Sequence, residues 1–238
     1  MLTQYKIVEK ILKIICKSKY LINLKSGGMM MKDTKGNIKN AALKLFNDKG
    51  VCSITTNHIS EEMGISPGNL YYHYKNKESI IREIHRDMIG DFRDTFSFSS
   101  EKNIADAFVN MLLAHAEIYY KYRFFYLDLP ALLRRDKALA TMHARNISTL
   151  IPLIDGMAES IIKSSKPSYK YDSKDLKNVL QSGIVLTEFW LCHLFSAGIE
   201  VNEKTVKGFI HNYFTMIKPY LSSSTSDEIE KRIKKELK

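Results

Sequence analysis

The run Ser66-Pro67-Gly68-Asn69-Leu70-Tyr71-Tyr72-His73-Tyr74-Lys75-Asn76-Lys77 gathers phenols, an imidazole, two carboxamides and two ammonium groups within twelve residues. Phenols, imidazoles and ammonium groups donate to phosphate oxygens, and a carboxamide both donates to and accepts from a base edge. Leu70 supplies a core anchor with Tyr74 below it, so Asn69, Tyr71, Tyr72 and His73 fall on the other faces of a short helix. The chemistry on offer is contact with a nucleic acid. A plainer reading has the aromatic residues cementing a three-helix bundle. It serves for any single tyrosine, but poorly for the whole run in its setting.

That setting is a pair of short helices. Thr55-Thr56 opens the first, which buries Ile59 and Met63 and ends at Gly64. Gly64 permits a left-handed turn, and Ile65 plugs the junction. Ser66 caps the second helix and Pro67 takes its first turn. Ahead of them, Ile38, Ala41, Ala42, Leu45 and Phe46 recur with helical period and stop at Gly50. Behind them, Asn76 caps a long helix through Ile80, Ile81, Ile84, Met88 and Phe92. Three helices with a tight turn between the second and third make a helix-turn-helix.

No other constellation competes. The chain has no GxSxG, HExxH, P-loop or GxGxxG pattern, and no repeated Glu-x-x-His of a di-iron bundle. Cys16, Cys52 and Cys192 are odd in number and lack C-x-x-C spacing, so neither a disulfide framework nor a zinc module is expected. Cys192 and His193 are adjacent, a poor geometry for shared ligation. His85, His115, His143 and His211 are scattered. The expectation is a protein without enzymatic activity, metal or cofactor.

Helical patterning continues to the end, and the fold class expected is all-α. Ser97–Glu101 interrupts it, and Ile104, Phe108, Met111, Leu112, His115 and Tyr119 form the next apolar face. Pro130 and Pro152 mark a break and a kink within 124–163. A polar loop, Ser164–Asp172, precedes helices at about 174–197 and 203–218. Asp227 and Glu228 followed by Lys234 and Lys235 suit a helix dipole, although the stripe Ile229, Ile233, Leu237 is thin. The division expected is a helix-turn-helix domain at 29–80, a second helical domain at 81–221, and a charged tail or short helix at 222–238.

The 238 residues are 45% hydrophobic and carry a net charge of +10, which alone supports a polyanionic partner only weakly. Half of that excess lies in residues 1–28, with six lysines against one glutamate. This segment lacks the unbroken apolar core of a signal peptide. A basic amphipathic helix on a membrane is one reading. The other starts from Ser26-Gly27-Gly28-Met29-Met30-Met31: codons UCA-GGA-GGN would contain the ribosome-binding sequence AGGAGG. Translation would then begin among Met29–Met31, with residues 1–28 a non-native or disordered extension. No continuous apolar stretch approaches the ~20 residues of a membrane span, which points to a soluble, cytoplasmic protein.

The run Thr55–Glu78, together with Ala41, Ala42, Leu45, Phe46 and Gly50, resembles the DNA-binding domain of the tetracycline-repressor (TetR) family over about residues 33–85. Phe124–Pro130 and Tyr213–Leu221 resemble one branch of the family more weakly. Tyr74 stands where Phe is commoner, and Pro67 where Lys or Arg is commoner, which removes one charge contact. The resemblance implies a homodimeric transcriptional regulator on double-stranded DNA, with its third helix in the major groove. By matched position, Thr56, Tyr72, His73 and Lys77 would touch phosphates, and Pro67, Gly68, Asn69 and Tyr71 would lie nearest base edges. Thr55 and Ser66 complete that set, and Asn69 is the best hydrogen-bonding reader. A ligand-independent, DNA-binding structural protein is the alternative.

Two further expectations concern the second domain. The apolar residues of Lys174–Ala197, together with Val206, Phe209, Ile210, Tyr213, Phe214 and Ile217, would pair with their symmetry mates as a four-helix bundle, with Gly183 allowing close approach. Phe108, Met111, His115, Tyr119, Phe125, Met157 and Trp190 would line a site for a small apolar or amphipathic ligand that lowers DNA affinity.

Overall fold

The computed structural model describes residues 33–95, 103–165 and 171–237. Residues 1–37 and 38–238 form separate units, and of the first only 33–37, the start of one helix, are described. The expectations for residues 1–28 lie outside the described residues. Within those residues every regular element is helical and no strand occurs.

Helix α1 (Thr34–Lys49) buries Ile38, Ala42, Leu45 and Phe46 and ends at Gly50, whose φ of 75° uses the left-handed region open to glycine. Helix α2 (Thr56–Glu62) buries Ile59, and α3 (Pro67–His73) buries Leu70. Helix α4 (Lys77–Thr95) follows immediately, with Asn76 Oδ1 accepting from the backbone N–H of Ser79 at 2.9 Å. Its first half closes the helix-turn-helix core through Ile80, Ile81 and Ile84; its second half buries Met88, Ile89 and Phe92. The domain boundary expected after residue 80 therefore falls inside a continuous helix.

Helix α5 (Ile104–Lys121) packs along α4, and the short helices α6 (Arg123–Leu127) and α7 (Leu129–Arg135) turn the chain into the long α8 (Lys137–Ser165). Pro130 sits in the first turn of α7, where its missing N–H costs no hydrogen bond. Pro152 lies inside α8 and does not end it. The ring is exposed, and so is Ser148, whose carbonyl loses its partner to the ring. Water can satisfy that oxygen, while Leu139, Leu150 and Ile162 are buried on either side.

Helix α9 (Ser173–Ser196) packs on α6 and on α11 (Gly208–Ile217), which is reached through a single turn, α10 (Glu203–Val206). A 3-10 turn at Lys218–Tyr220 leads to α12 (Ser223–Glu236), docked on α5 with Ile229 and Ile233 buried. The thin stripe is thus sufficient for a packed helix. Among the described residues one helix, α9, has the length and composition to cross a membrane. Its Leu176, Leu180, Leu191 and Leu194 are instead buried within the protein.

The dimer expectation is corrected at α11. Val206, Phe209, Ile210, Tyr213, Phe214 and Ile217 are all buried within their own chain, and the outward residues His211, Asn212 and Thr215 are polar. Gly183 also serves an internal contact: a Cβ there would collide with the Tyr213 ring. The apolar side chains left exposed on α9 are Val185 (59%), Phe189 (43%) and Phe195 (73%).

Candidate functional site

Short-range hydrogen bonds fix the helix-turn-helix before any long-range packing. Thr55 Oγ1 accepts from His58 N–H, and His58 Nδ1 accepts from Thr55 N–H, both at 3.3 Å. The imidazole here does the work that Glu or Gln usually does in a capping box. At the turn, Gly64 takes φ 63° and Ile65 N–H donates to Ser60 O at 3.0 Å. Ser66 Oγ then accepts from Asn69 N–H at 3.2 Å, capping α3. Thr56 Oγ1 and Tyr71 OH lie 3.0 Å apart, a hydroxyl pair joining the first turn of α2 to α3.

The outward surface of α3 is open. Tyr72 is 85% exposed with its ring edge-on to His73, Tyr71 is 49% exposed, and Ser66, Pro67, Gly68 and Asn69 are exposed. Leu70 and Tyr74 are buried as expected. Thr55 and Ser66 are placed as caps, which orient their neighbours. Lys77 is placed differently from the expectation of a phosphate contact. Its ammonium turns inward and donates to Val51 O at 2.8 Å and Ile54 O at 2.7 Å. It satisfies the loop between α1 and α2, and Lys75 is the exposed cation at this corner.

Behind the helix-turn-helix, α4, α5, α6, α8, α9 and α11 surround a cavity of about 90 Å³. Phe108, Met111, His115 and Tyr119 line it, as expected; Phe125 and Trp190 do not appear in the wall. Phe125 fills the core between the rings of His85 and His143, at 5.0 and 5.5 Å. Trp190 sits against Gly208 and donates its indole N–H to Thr205 O at 3.2 Å. The side chain of Met157 lies outside the described residues. Helix α4 contributes Met88, Ile89 and Phe92 to the wall.

Beyond His115 and the tyrosines of α5 and α6, the polar part of the wall that sequence reading missed includes His143, Thr187, Glu188 and the phenol of Tyr213. His143 Nε2 lies 2.9 Å from Glu188 Oε1, and its Nδ1 lies 3.2 Å from His85 Nε2. Burial, reinforced by the neighbouring His143 and Arg86, lowers the pKa of His85 to about 4, so its ring is neutral at neutral pH. His85 Nδ1 is buried with no partner among the described residues, which places the proton on Nε2. The chain then runs one way: His85 Nε2–H donates to His143 Nδ1, and His143 Nε2–H donates to Glu188. Across the cavity, Thr95 Oγ1 donates to Phe92 O at 2.7 Å, so His115 Nε2–H donates to Thr95 Oγ1 at 2.9 Å. Burial lowers the pKa of His115 to about 4 and raises those of the Tyr119 and Tyr126 phenols.

An all-helical chain with an open recognition helix and a buried cavity behind it has the build of a DNA-binding regulator. A family model described as bacterial regulatory proteins of the tetR family matches residues 38–84, and the TetR model described as a bacterial transcriptional repressor matches residues 92–229. The chain belongs to the tetR family of bacterial regulatory proteins, and it spans less than a third of the length of the curated relatives that it matches. Over 54 residues it is 44% identical to an HTH-type transcriptional regulator of Staphylococcus aureus (strain USA300), a match covering 21% of this chain and 29% of that protein. The structure is similar to a TetR-family transcriptional regulator from Marinobacter aquaeolei VT8, with TM-score 0.75 and 27% identity over 85% of this chain and 98% of that one. The fold is shared with the fatty acid degradation regulator FadR from Bacillus halodurans, with TM-score 0.59 and 12% identity over 77% and 95% of the two chains.

Proposed function

We propose that the protein is a cytoplasmic, homodimeric repressor that leaves a palindromic operator when a small, largely apolar ligand enters the cavity. The carrying observation is the double employment of α4. Its start is bound to the helix-turn-helix through Lys77 and Ile80, and two turns later it presents Met88, Ile89 and Phe92 to the cavity. A ligand that enters touches and can displace wall side chains, those of this helix among them, and Met88 and Met111 can repack around varied shapes. Movement of α4 carries α3 with it, so the spacing of two recognition helices across a dimer changes. Ligand and operator then oppose each other by population shift.

Dimerisation through α9 is supported by the exposure of Val185, Phe189 and Phe195. On DNA, Asn69 and Tyr71 read base edges, and Tyr72, His73 and Lys75 contact phosphates, while Thr55, Thr56 and Ser66 hold the helix ends in place. The test is selection of bound fragments from the source genome, followed by operator titration with a panel of apolar compounds. Recovery of palindromic fragments, released by a compound that binds the protein, is the expected result. Coating of random DNA without preference would contradict it.

A further inference from the structure

The cavity wall is apolar apart from a few groups, and their signs are uneven. Glu188 is the one formally charged side chain among the lining residues, and no Lys or Arg belongs to the wall. Its Oε1 is occupied by His143 at 2.9 Å, and no hydrogen bond from a described residue reaches Oε2. The carboxylate is held from behind, because the His85–His143 chain donates toward it and fixes which oxygen is used. It therefore keeps one acceptor for an incoming group, beside the apolar side chains of Met88, Phe92, Ile147 and Ile184, and is itself only partly exposed. In such surroundings a carboxylate attracts a cation or a strong donor and repels a second carboxylate.

We propose that the cavity takes a lipophilic amine, with its ammonium on Glu188 and its apolar part among the α4 and α5 side chains, and that it discriminates against carboxylates of the same shape. This rests on the reading of the cavity as the ligand site, and adds the chemical class of the ligand. The other polar groups agree. The Tyr119 and Tyr126 phenols stay protonated, His115 has its Nε2–H committed to Thr95, and none supplies a positive charge to hold an anion.

The test uses the full-length protein at neutral pH with hexylamine, 1-hexanol and hexanoate, measured by titration calorimetry. Hexylamine is expected to bind about tenfold tighter than hexanol, the difference between a charged and a neutral hydrogen bond, and hexanoate weaker than both. Glu188→Gln, checked for folding by circular dichroism, is expected to bring the amine-to-alcohol ratio close to one. Ile184→Phe, which fills the cavity, is expected to remove binding of all three. Hexanoate binding as tightly as hexylamine, or a ratio unmoved by Glu188→Gln, overturns the proposal while leaving the cavity as a ligand site. Amine binding that survives Ile184→Phe places the amine elsewhere and also overturns it. No binding by any of the three removes both the proposal and the reading beneath it.

Discussion

The backbone N–H of Phe124 donates to Oδ1 of Asn47 at 3.1 Å, and Nδ2 of the same amide donates to Lys121 O at 2.8 Å. One side chain of α1 thus satisfies both sides of the break between α5 and α6, where a helix end leaves backbone groups without helical partners. Packed beside it, the Phe46 and Phe124 rings lie 5.3 Å apart and tilted at 46° to each other. Asn47→Ala strands a donor and an acceptor in a half-buried place, and is expected to cost about 1–3 kcal/mol of stability. Asn47→Asp keeps the acceptor for Phe124 and should cost less. Urea unfolding followed by circular dichroism checks the order; equal midpoints for all three proteins would remove the clamp from the account.

Lys77 and Lys75 give opposite signatures. Lys77→Ala takes away two hydrogen bonds to the Val51 and Ile54 carbonyls and is expected to lower stability by about 2 kcal/mol, with the salt dependence of DNA binding kept. Lys75→Ala leaves the fold intact and is expected to reduce the slope of log affinity against log salt by about one. Gel-shift titrations over a salt series, beside thermal melts, separate the two. A Lys77→Ala protein of unchanged stability and reduced salt slope would return Lys77 to the phosphate contacts.

The helix-turn-helix was legible because its signals are local. Thr55, Gly64 and Ser66 are cap and turn residues whose chemistry acts within four positions, and the structure uses each of them there. The cavity was only partly legible, since a helical period assigns a residue to a face but not to a height. Trp190 and Gly183 are seven residues apart and share a face of α9, yet stand about 10 Å apart along it. Gly183 borders the cavity and Trp190 lies beyond it, against Gly208. Glu188 gave no signal at all, because a lone carboxylate in a helix looks like any solvated one until His143 is brought to it from 45 positions away. The α11 half of the expected dimer face differs for a related reason: its stripe demands cover, and its own chain supplies it.

Acid should loosen the second domain before it reaches the carboxylates. The pKa of His115 falls from 6.5 to about 4 on folding because burial disfavours the imidazolium. Between those values the unfolded chain binds the extra proton, so this contribution is complete above about pH 6.5 and is lost as pH falls toward 4. The loss amounts to about 3 kcal/mol at its limit. His85 adds to it in the same direction. Urea midpoints measured across this range should fall with acid, and fall less in His115→Gln, which is already destabilised at neutral pH. Midpoints flat across that range would mean that His115 is not buried as a neutral ring.

Asn69 and Tyr72 should separate reading from holding. Asn69 is exposed in the first turn of α3, where a carboxamide can pair with an adenine edge. Asn69→Ala is expected to relax preference at one position per half-site, at about 1–3 kcal/mol of discrimination. Tyr72→Ala removes a widely exposed phenol and should weaken all sequences alike. Binding-site selection with each variant reads both effects; an unchanged consensus with Asn69→Ala would assign base reading to Tyr71 or to the backbone at Gly68.

The dimer prediction depends on α9 alone. Val185 and Phe189 are four residues apart, hence on one helical face, and remain 59% and 43% exposed, while the exposed residues of α11, His211, Asn212 and Thr215, are polar. Burying the α9 face between two copies is the outcome that removes these side chains from water. Phe189→Lys places two like charges in that contact and is expected to shift the protein to monomers at micromolar concentration, by sedimentation equilibrium. A monomer engages each half-site singly, so affinity for the full palindrome should fall by about a hundredfold or more, while binding to an isolated half-site stays near its original value. Stability of the chain should change little, because Phe189 belongs to no core cluster within it. If Phe189→Lys and Val185→Lys both remain dimeric and hold the palindrome at full affinity, the contact between copies lies on another surface, and the exposed residues of α9 need a different partner.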